Sequence, residues 1–217
     1  MITEKEIIRY LGFGRNKPDD KTLELIRECS DELERAATPK HTYRRMAVFV
    51  TDDNYIIADG LKMHSANLAK NLRGCGEIIV FAATLGNATD MLMNKYNRIS
   101  ISRAAILQAC GAAMIEDYCN ACQRKIEQEL ATENLFVRPR FSPGYGDLSL
   151  EHQNAVLSLL NAHKTVGIHL SEGNVMIPEK SVTAIMGISN VNSRCHIEGC
   201  ELCDKKDCPF RRESGGE

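Results

Sequence analysis

The most regular feature of this sequence is the spacing of its apolar residues. Residues 77–86 (EIIVFAATLG) form a continuous apolar run, which predicts a strand in the middle of a sheet. Residues 101–131 instead keep helical spacing, with Ala104, Leu107 and Cys110 among the apolar residues on the side expected to be buried. These two segments predict the central strand and the longest helix of the fold.

Shorter patterns predict the other elements. Thr3 and Glu6 form a capping box for a first helix, and Asp19 or Asp20 can cap a second. Further helices are expected at residues 64–73, 88–97 and about 149–163. Strands are expected at residues 44–50, 54–60, 174–178 and 182–189. The strands at 44–50 and 54–60 should form a hairpin around the Asp52-Asp53 turn. Hairpin strands followed by helices and then by more strands favour an α+β fold over regular βαβ alternation.

Composition fits one full-sized domain and excludes several kinds of partner. The chain has 217 residues, 43% of them hydrophobic, which is enough for a core that is stable without disulfides. With 27 basic and 29 acidic residues the net charge is −2, so neither nucleic acid nor an anionic membrane is expected as a partner. No apolar run approaches the ~18 residues of a membrane span, and the first residues are charged rather than signal-like, so we expect a cytoplasmic protein.

Four of the nine cysteines crowd into a charged tail, and this placement indicates metal ligation rather than a disulfide framework. Cys195, Cys200, Cys203 and Cys208 follow the spacing C-x4-C-x2-C-x4-C, and four thiolates within 14 residues can surround one ion or cluster. We therefore divide the chain into a domain at residues 1–192 and a metal-binding or iron–sulfur tail at residues 193–217.

The identity of the metal stays open. The first three tail cysteines match the opening of plant-type ferredoxin motifs, and Cys208 precedes a proline as in bacterial ones, but neither full motif is present. This favours an iron–sulfur cluster over structural zinc, and both over free thiols. Cys119 and Cys122 form a second C-x2-C pair, but on a predicted helix, where buried apolar packing is the favoured interpretation.

A loop rich in proline and glycine, RFSPGYG at residues 140–146, interrupts the regular pattern. Arg140 can bind a carboxylate through two parallel hydrogen bonds, and Pro143 with Gly144 allows a ligand to approach the backbone closely. Tyr145 offers a flat ring with a hydroxyl, and Glu172, in a later loop, can accept from an amine or from hydroxyls. Taken alone, such a loop is more often a simple connection than a site.

These segments resemble the reactivation domain of cobalamin-dependent methionine synthase, which binds S-adenosylmethionine. That family carries an R-x-[A/S]-P-G-Y loop, then an L-T-E-S segment and a P-x-x-S-V-S-G segment. The order and spacing of these three segments agree with this chain between residues 136 and 190. The loop is matched by Arg140, Ser142, Pro143, Gly144 and Tyr145, and the second segment by Leu170, Ser171 and Glu172. The third is matched by Pro178, Ser181 and Val182, with Thr183 in place of serine.

The resemblance implies a bent antiparallel sheet flanked by helices and a site for S-adenosylmethionine. It implies that Arg140 holds the carboxylate of the ligand, and that the backbone around Ser142 and Gly144 contacts the ligand. Tyr145 would lie close to the ligand and to the corrinoid, and Glu172 is a further carried-over contact. The chain departs from the family at Gly146-Asp147-Leu148 and in its cysteine tail, and it has no corrinoid-binding D-x-H-x-x-G motif.

The leading hypothesis is therefore a stand-alone protein that serves methionine biosynthesis by restoring an oxidised corrinoid enzyme. Cobalamin would be carried by a separate methionine synthase or related methyltransferase, and any enzymatic role would be as a component of that methyltransferase. An iron–sulfur tail could pass on electrons from a ferredoxin or flavodoxin. The alternatives are a non-catalytic binding module with a zinc tail and an iron–sulfur electron carrier without a ligand site.

The tail generates a first prediction. Replacing Cys200 and Cys203 together by serine should abolish bound metal and leave the rest of the chain folded, because residues 1–190 supply the core. Metal analysis of anaerobically prepared protein measures this, and a brown colour distinguishes a cluster from zinc. Wild-type protein that contains neither iron nor zinc would contradict the assignment.

Overall fold

The computed structural model of the chain describes residues 3–14 and 16–191. The helices in these residues are α1 (Glu4–Tyr10), α2 (Asp20–Ala36), α3 (Ala66–Asn71), α4 (Asn87–Ile99), α5 (Ile101–Ala131), α6 (His152–Leu159) and α7 (Ala162–Thr165). The strands are β1 (Lys40–Ala47), β2 (Phe49–Val50), β3 (Tyr55–Ala58), β4 (Leu61–His64), β5 (Glu77–Thr84), β6 (Phe136–Val137), β7 (His169–Leu170), β8 (Met176–Ile177) and β9 (Ser181–Ser189). The α+β class predicted from the sequence is confirmed.

A four-stranded antiparallel sheet in the order β1-β5-β9-β6 forms the centre of the fold. On β5, Val80 lies opposite Arg44 of β1 and Ile185 of β9, so this strand is paired on both sides. Its residues are also buried on both faces, since Ile79 and Phe81 belong to one apolar cluster and Ile78 and Val80 to another. The central position predicted for residues 77–86 is confirmed.

The two apolar clusters have different partners. The first contains residues of α1, α2, α4 and α5, which cover one face of the sheet. The second contains residues of β3, β4, α3 and α6, which cover the other face. The chain therefore folds as three layers, with helices on one side of the central sheet and a smaller mixed layer on the other.

The strand predicted at residues 44–50 divides between two sheets. Its first part belongs to β1 and pairs with β5, whereas β2 pairs with β3 in a three-stranded sheet of order β2-β3-β4. The division falls at Val48, whose N–H donates to the carbonyl oxygen of Gly76 at 3.1 Å instead of extending the ladder of β1. Of the hairpin expected between residues 44–50 and 54–60, only the pairing of β2 with β3 is present, because β1 pairs with β5 instead.

Two helix boundaries also differ from expectation. The helix expected at residues 64–73 is shortened to α3, because Leu61–His64 pairs with β3 as strand β4. The helix expected at residues 149–163 is interrupted at Asn161, which has a φ of 49°. A left-handed backbone position ends a helix, and asparagine tolerates it better than most residues.

The longest element, α5, spans 31 residues as predicted and packs against α1, α2 and α4. Cys119 and Cys122 face the core and are 0% and 3% exposed, so the interpretation of this pair as core packing is confirmed. Among the described residues, no helix is both long and apolar enough to cross a membrane.

Candidate functional site

The loop singled out by the sequence is anchored to β9. Arg138 donates its N–H to the carbonyl oxygen of Gly187 at 2.8 Å, and Phe141 exchanges two backbone hydrogen bonds of 2.9 and 2.8 Å with Ile185. Both contacts continue the pairing that β6 begins with β9. The backbone on both sides of Arg140 is therefore hydrogen-bonded to β9, and the Arg140 side chain extends from the edge of the central sheet.

The following residues form a compact turn. Tyr145 donates its N–H to the carbonyl oxygen of Ser142 at 3.0 Å, and Gly144 donates to that of Leu148 at 2.8 Å. Gly144 has a φ of +87°, in the left-handed region that glycine adopts at little cost. Gly146 also has a positive φ, and a Cβ atom there would come within 2.9 Å of the Asn67 side chain. The turn therefore favours glycine at both positions for its conformation, and at position 146 a side chain would also have to displace the Asn67 amide.

Asp147, where the sequence departs from the family pattern, ties this turn to α3. Its carboxylate accepts hydrogen bonds from the Ser65 hydroxyl and from the backbone N–H groups of Ala66 at 2.7 Å and Asn67 at 3.2 Å. The hydrogen bond from Ser65, with those from the backbone, lowers the pKa of the Asp147 carboxyl below its usual value. This residue therefore has a structural role, which is to hold the turn beside a helix start.

Arg140 lies against the polar side of α5. Its Nη1 donates to Oε1 of Gln123 at 2.8 Å, and its Nη2 donates to Oδ1 of Asn120 at 2.8 Å and to Oε2 of Glu116 at 3.1 Å. The side chain of Arg140 is 18% exposed and that of Glu116 is 37% exposed. These contacts fix the guanidinium while leaving one side of the pair open to solvent.

This arrangement places a cation and an anion next to each other at the surface. A guanidinium has five N–H donors, and three hydrogen bonds to α5 leave donors for a carboxylate. The Glu116 carboxylate has lone pairs for an ammonium group. The pair can therefore bind both charged groups of an α-amino acid.

Sequence reasoning missed the α5 residues that hold Arg140. Glu116, Asn120 and Gln123 recur at steps of four and three, which places them on one side of a helix. That spacing is visible in the sequence, but it is typical of any solvated helix face. Only the position of the loop shows that these side chains face an arginine.

The remaining residues expected to bind a ligand are placed as follows. Ser142 is half-buried within the turn, and the ring of Tyr145 is 53% exposed and lies edge-on to Phe141 at a centroid distance of 5.3 Å. Glu172 is exposed in the turn between β7 and β8, and in the described part of the chain no hydrogen bond or ion pair links it to the 140–146 loop. Its role as a ligand contact stays a prediction.

The segment at residues 178–183 is mainly structural. The Ser181 hydroxyl donates to the Pro178 carbonyl oxygen at 2.7 Å and contacts the Thr84 hydroxyl at 2.8 Å, while Thr183 bonds the amide of Gln153. Ser181 and Thr183 are 8% and 2% exposed. The two buried hydroxyls are thus satisfied at the start of β9, that of Ser181 by Thr84 and the backbone and that of Thr183 by the Gln153 side chain.

Lys180, inside the same segment, reaches across to α5. Its ammonium group donates to Oε1 of Gln108 and to Oε1 of Glu179, the latter at 3.0 Å, and its side chain is 13% exposed. Neither Lys180 nor Gln108 was singled out from the sequence, because a lysine and a glutamine 72 residues apart carry no signal of contact.

No group of metal-ligating side chains occurs within residues 3–14 and 16–191. Burial raises the pKa of the Cys119 thiol to about 12, so this thiol is protonated at neutral pH. The tail cysteines Cys195, Cys200, Cys203 and Cys208 lie outside the described residues, so their ligation stays a prediction.

Comparison with known proteins supports the fold expected from the loop. No family model and no curated protein matches the chain. Among solved structures, the fold is similar to a crystal structure of the MetH reactivation domain bound to AdoHcy, with a TM-score of 0.60 and 15% sequence identity. The similarity covers 88% of this chain and 77% of that one. The resemblance stated from a few motifs is thus confirmed at the level of the fold.

The Asp147 contacts predict a pH-dependent contribution to stability. Because the folded pKa is depressed, the contribution is present above the unfolded pKa, near 3.9, and is lost as the pH falls through the folded value. Asp147→Asn should lower the thermal midpoint at pH 7, and its difference from wild type should shrink below about pH 4. Thermal unfolding between pH 7 and pH 3 measures this.

Asp53→Asn, which changes an exposed carboxylate in the turn after β2, is the matched control and should leave the midpoint nearly unchanged. A deficit of Asp147→Asn that stays constant down to pH 3 would show that the carboxylate charge does not stabilise the turn.

Proposed function

We propose that this chain binds S-adenosylmethionine between the 140–146 loop and α5, and that it uses the bound methyl donor to restore an oxidised corrinoid on a partner protein. The observation that carries the proposal is the position of Arg140. It lies in a loop with the motif of methionine synthase reactivation domains, in a chain with the fold of such a domain bound to AdoHcy. Its guanidinium is held at the surface beside a carboxylate.

The amino-acid end of the ligand has complementary charges at this place. Its carboxylate is proposed to bind Arg140, and its ammonium group to bind Glu116, so the ligand extends the existing ion pair to four alternating charges. The Glu116 carboxylate is 37% exposed, so solvent screens part of its attraction to Arg140. Glu116 can therefore share its hold on Arg140 with a ligand at small cost to the fold.

The turn after Arg140 is proposed to contact the rest of the ligand through its backbone. The positive φ of Gly144 turns the chain sharply just after Ser142 and Pro143. Tyr145 presents an exposed ring one residue later. We assign Ser142 and Gly144 to ligand contacts and Tyr145 to the side that meets the corrinoid.

The reaction assigned to the complex is methyl transfer to the corrinoid substrate. A single electron first reduces cobalt(II) to cobalt(I), and the cobalt then takes the methyl group as the carbon–sulfur bond breaks and S-adenosylhomocysteine leaves. The residues of this chain contribute by orienting the sulfonium methyl group toward the partner, an effect of proximity rather than of acid–base chemistry.

The partner and the source of electrons are also proposals. The partner is proposed to be a cobalamin-dependent methionine synthase or a related corrinoid methyltransferase, and the electron donor a ferredoxin or flavodoxin. An iron–sulfur cluster on Cys195, Cys200, Cys203 and Cys208 would allow the tail to relay the electron, since such clusters reach potentials as low as about −700 mV.

Ligand binding provides the direct test of the Arg140 assignment. Arg140→Ala should weaken binding of S-adenosylhomocysteine by about 2–4 kcal/mol, because the ligand carboxylate loses its charged hydrogen-bonding partner, and Arg140→Lys should recover only part of this. Titration calorimetry measures the affinities. Equal affinity in wild type and Arg140→Ala would refute the assignment.

Arg124→Ala is the matched control, because Arg124 is an exposed arginine on α5. It should bind the ligand like wild type. Arg138→Ala is a poorer control than its sequence position suggests, since Arg138 is only 8% exposed and its stem packs beside Gly187.

Reactivation is tested with a cobalamin-dependent methionine synthase that lacks its own reactivation domain. Addition of this protein should speed the conversion of cobalt(II) to methylcobalt, followed by cobalamin absorbance, and the effect should need both S-adenosylmethionine and a low-potential reductant. Contact with the partner should be transient, because the corrinoid must also meet its substrates, so we expect a small interface and saturation only at high protein concentration.

Two variants separate the parts of this proposal. Arg140→Ala should abolish the acceleration at limiting S-adenosylmethionine. The Cys200→Ser, Cys203→Ser double variant should fail with reduced ferredoxin but recover with a small chemical reductant. Equal activity of the double variant with both reductants would limit the tail to a structural role.

A further inference from the structure

Lys180 crosses α5 at its only glycine, Gly111. A Cβ atom at position 111 would lie 2.9–3.2 Å from three carbons of the Lys180 stem, which is closer than side chains normally approach. The absence of a side chain therefore creates the channel in which the lysine lies. This close packing fixes the ammonium group at Gln108, one turn toward the start of the helix.

The contact with Lys180 determines which way the Gln108 amide points. An ammonium group only donates hydrogen bonds, so it must face the amide oxygen Oε1, and the nitrogen Nε2 points away from it. Oε1 keeps a second lone pair. Within the described part of the chain no other side-chain hydrogen bond involves this amide, so the half-buried Gln108 presents an acceptor and a donor side by side.

Gln108 lies on α5 two turns before Glu116 of the Arg140 cluster, and its side chain leaves the helix about 80° around the axis from that of Glu116. Steps of four residues lead from Gln108 through Ala112 to Glu116, a rise of about 12 Å along the helix axis. Lys180 therefore contacts Gln108 and Arg140 contacts Glu116, about two turns apart along the same helix. An extended ligand with an amino acid at one end and a nucleoside at the other spans such a separation.

We propose that Gln108 recognises the adenine of the ligand, with Lys180 as the residue that positions its amide; this inference rests on the proposed function. The outer edge of adenine presents the N7 acceptor next to the N6 amine donor, and a glutamine amide matches this pair with one donor and one acceptor. The ligand then lies along α5, with its charged amino-acid end at Arg140 and Glu116 and its base at Gln108.

The test compares two ligands that differ only at the base. S-adenosylhomocysteine carries the N6 amine, and S-inosylhomocysteine carries an oxygen acceptor in its place. Wild-type protein should bind the adenosyl compound at least about tenfold more tightly, as expected for a two-point amide contact. Titration calorimetry gives both affinities, and their ratio does not depend on the folded fraction of a variant.

Gln108→Leu should reduce this ratio to near one, and Lys180→Met should reduce it partly, because the amide can then rotate. Arg140→Ala should weaken both ligands equally and keep the wild-type ratio. Gln128→Leu, which changes an exposed glutamine on the same helix, is the control and should also keep the wild-type ratio.

The outcomes distinguish this inference from the function on which it rests. If wild-type protein and Gln108→Leu show the same ratio while Arg140→Ala loses affinity, the adenine assignment is wrong and the proposed function stands. If wild-type protein does not bind S-adenosylhomocysteine, both are wrong.

Discussion

The pairing of β5 with β9 is the interaction on which the other features depend. Eight residue pairs join the two strands, and nearly every side chain along them is buried. Because successive side chains of a strand point to opposite faces, each strand contributes to both apolar clusters. The helices on one side and the smaller sheet on the other are thus held by the same two strands. Polar substitutions at two adjacent positions of β5 would therefore disturb both layers together.

The candidate site lies where this rigid centre meets less constrained parts of the chain. β9 anchors the loop through Gly187 and Ile185, and α5 supplies the polar surface that faces it. Both β9 and α5 contribute buried residues to the first apolar cluster, which fixes their positions relative to each other. The more exposed side chains here are those of Tyr145 and Glu116, whereas hydrogen bonds to α5 hold the Arg140 guanidinium in place. A rigid frame of this kind suits a ligand that must be oriented rather than chemically activated.

Much of the fold was predictable because burial on two faces leaves a clear pattern. The apolar run of β5 and the helical period of α5 were both recognised with nearly their observed bounds. The change of sheet at Val48 was not, because the bond from its N–H to Gly76 depends on tertiary structure and leaves no mark in the local pattern. The loop around Arg140 was found through its proline and glycine residues. Gln108, Glu116 and Lys180 were missed, because the local sequence around a polar residue does not show which side chains it contacts in the folded structure.

The passage of Lys180 over Gly111 has a consequence for how this protein can diverge. The two positions share one volume, so a larger residue at 111 requires a shorter one at 180, and a change at either position alone produces a clash or an empty channel. Descendants of this sequence should therefore exchange the two residues as a pair, with glycine and lysine lost together. The limited space between them thus couples position 111 of α5 to position 180, which lies just before β9 and 69 residues further along the chain.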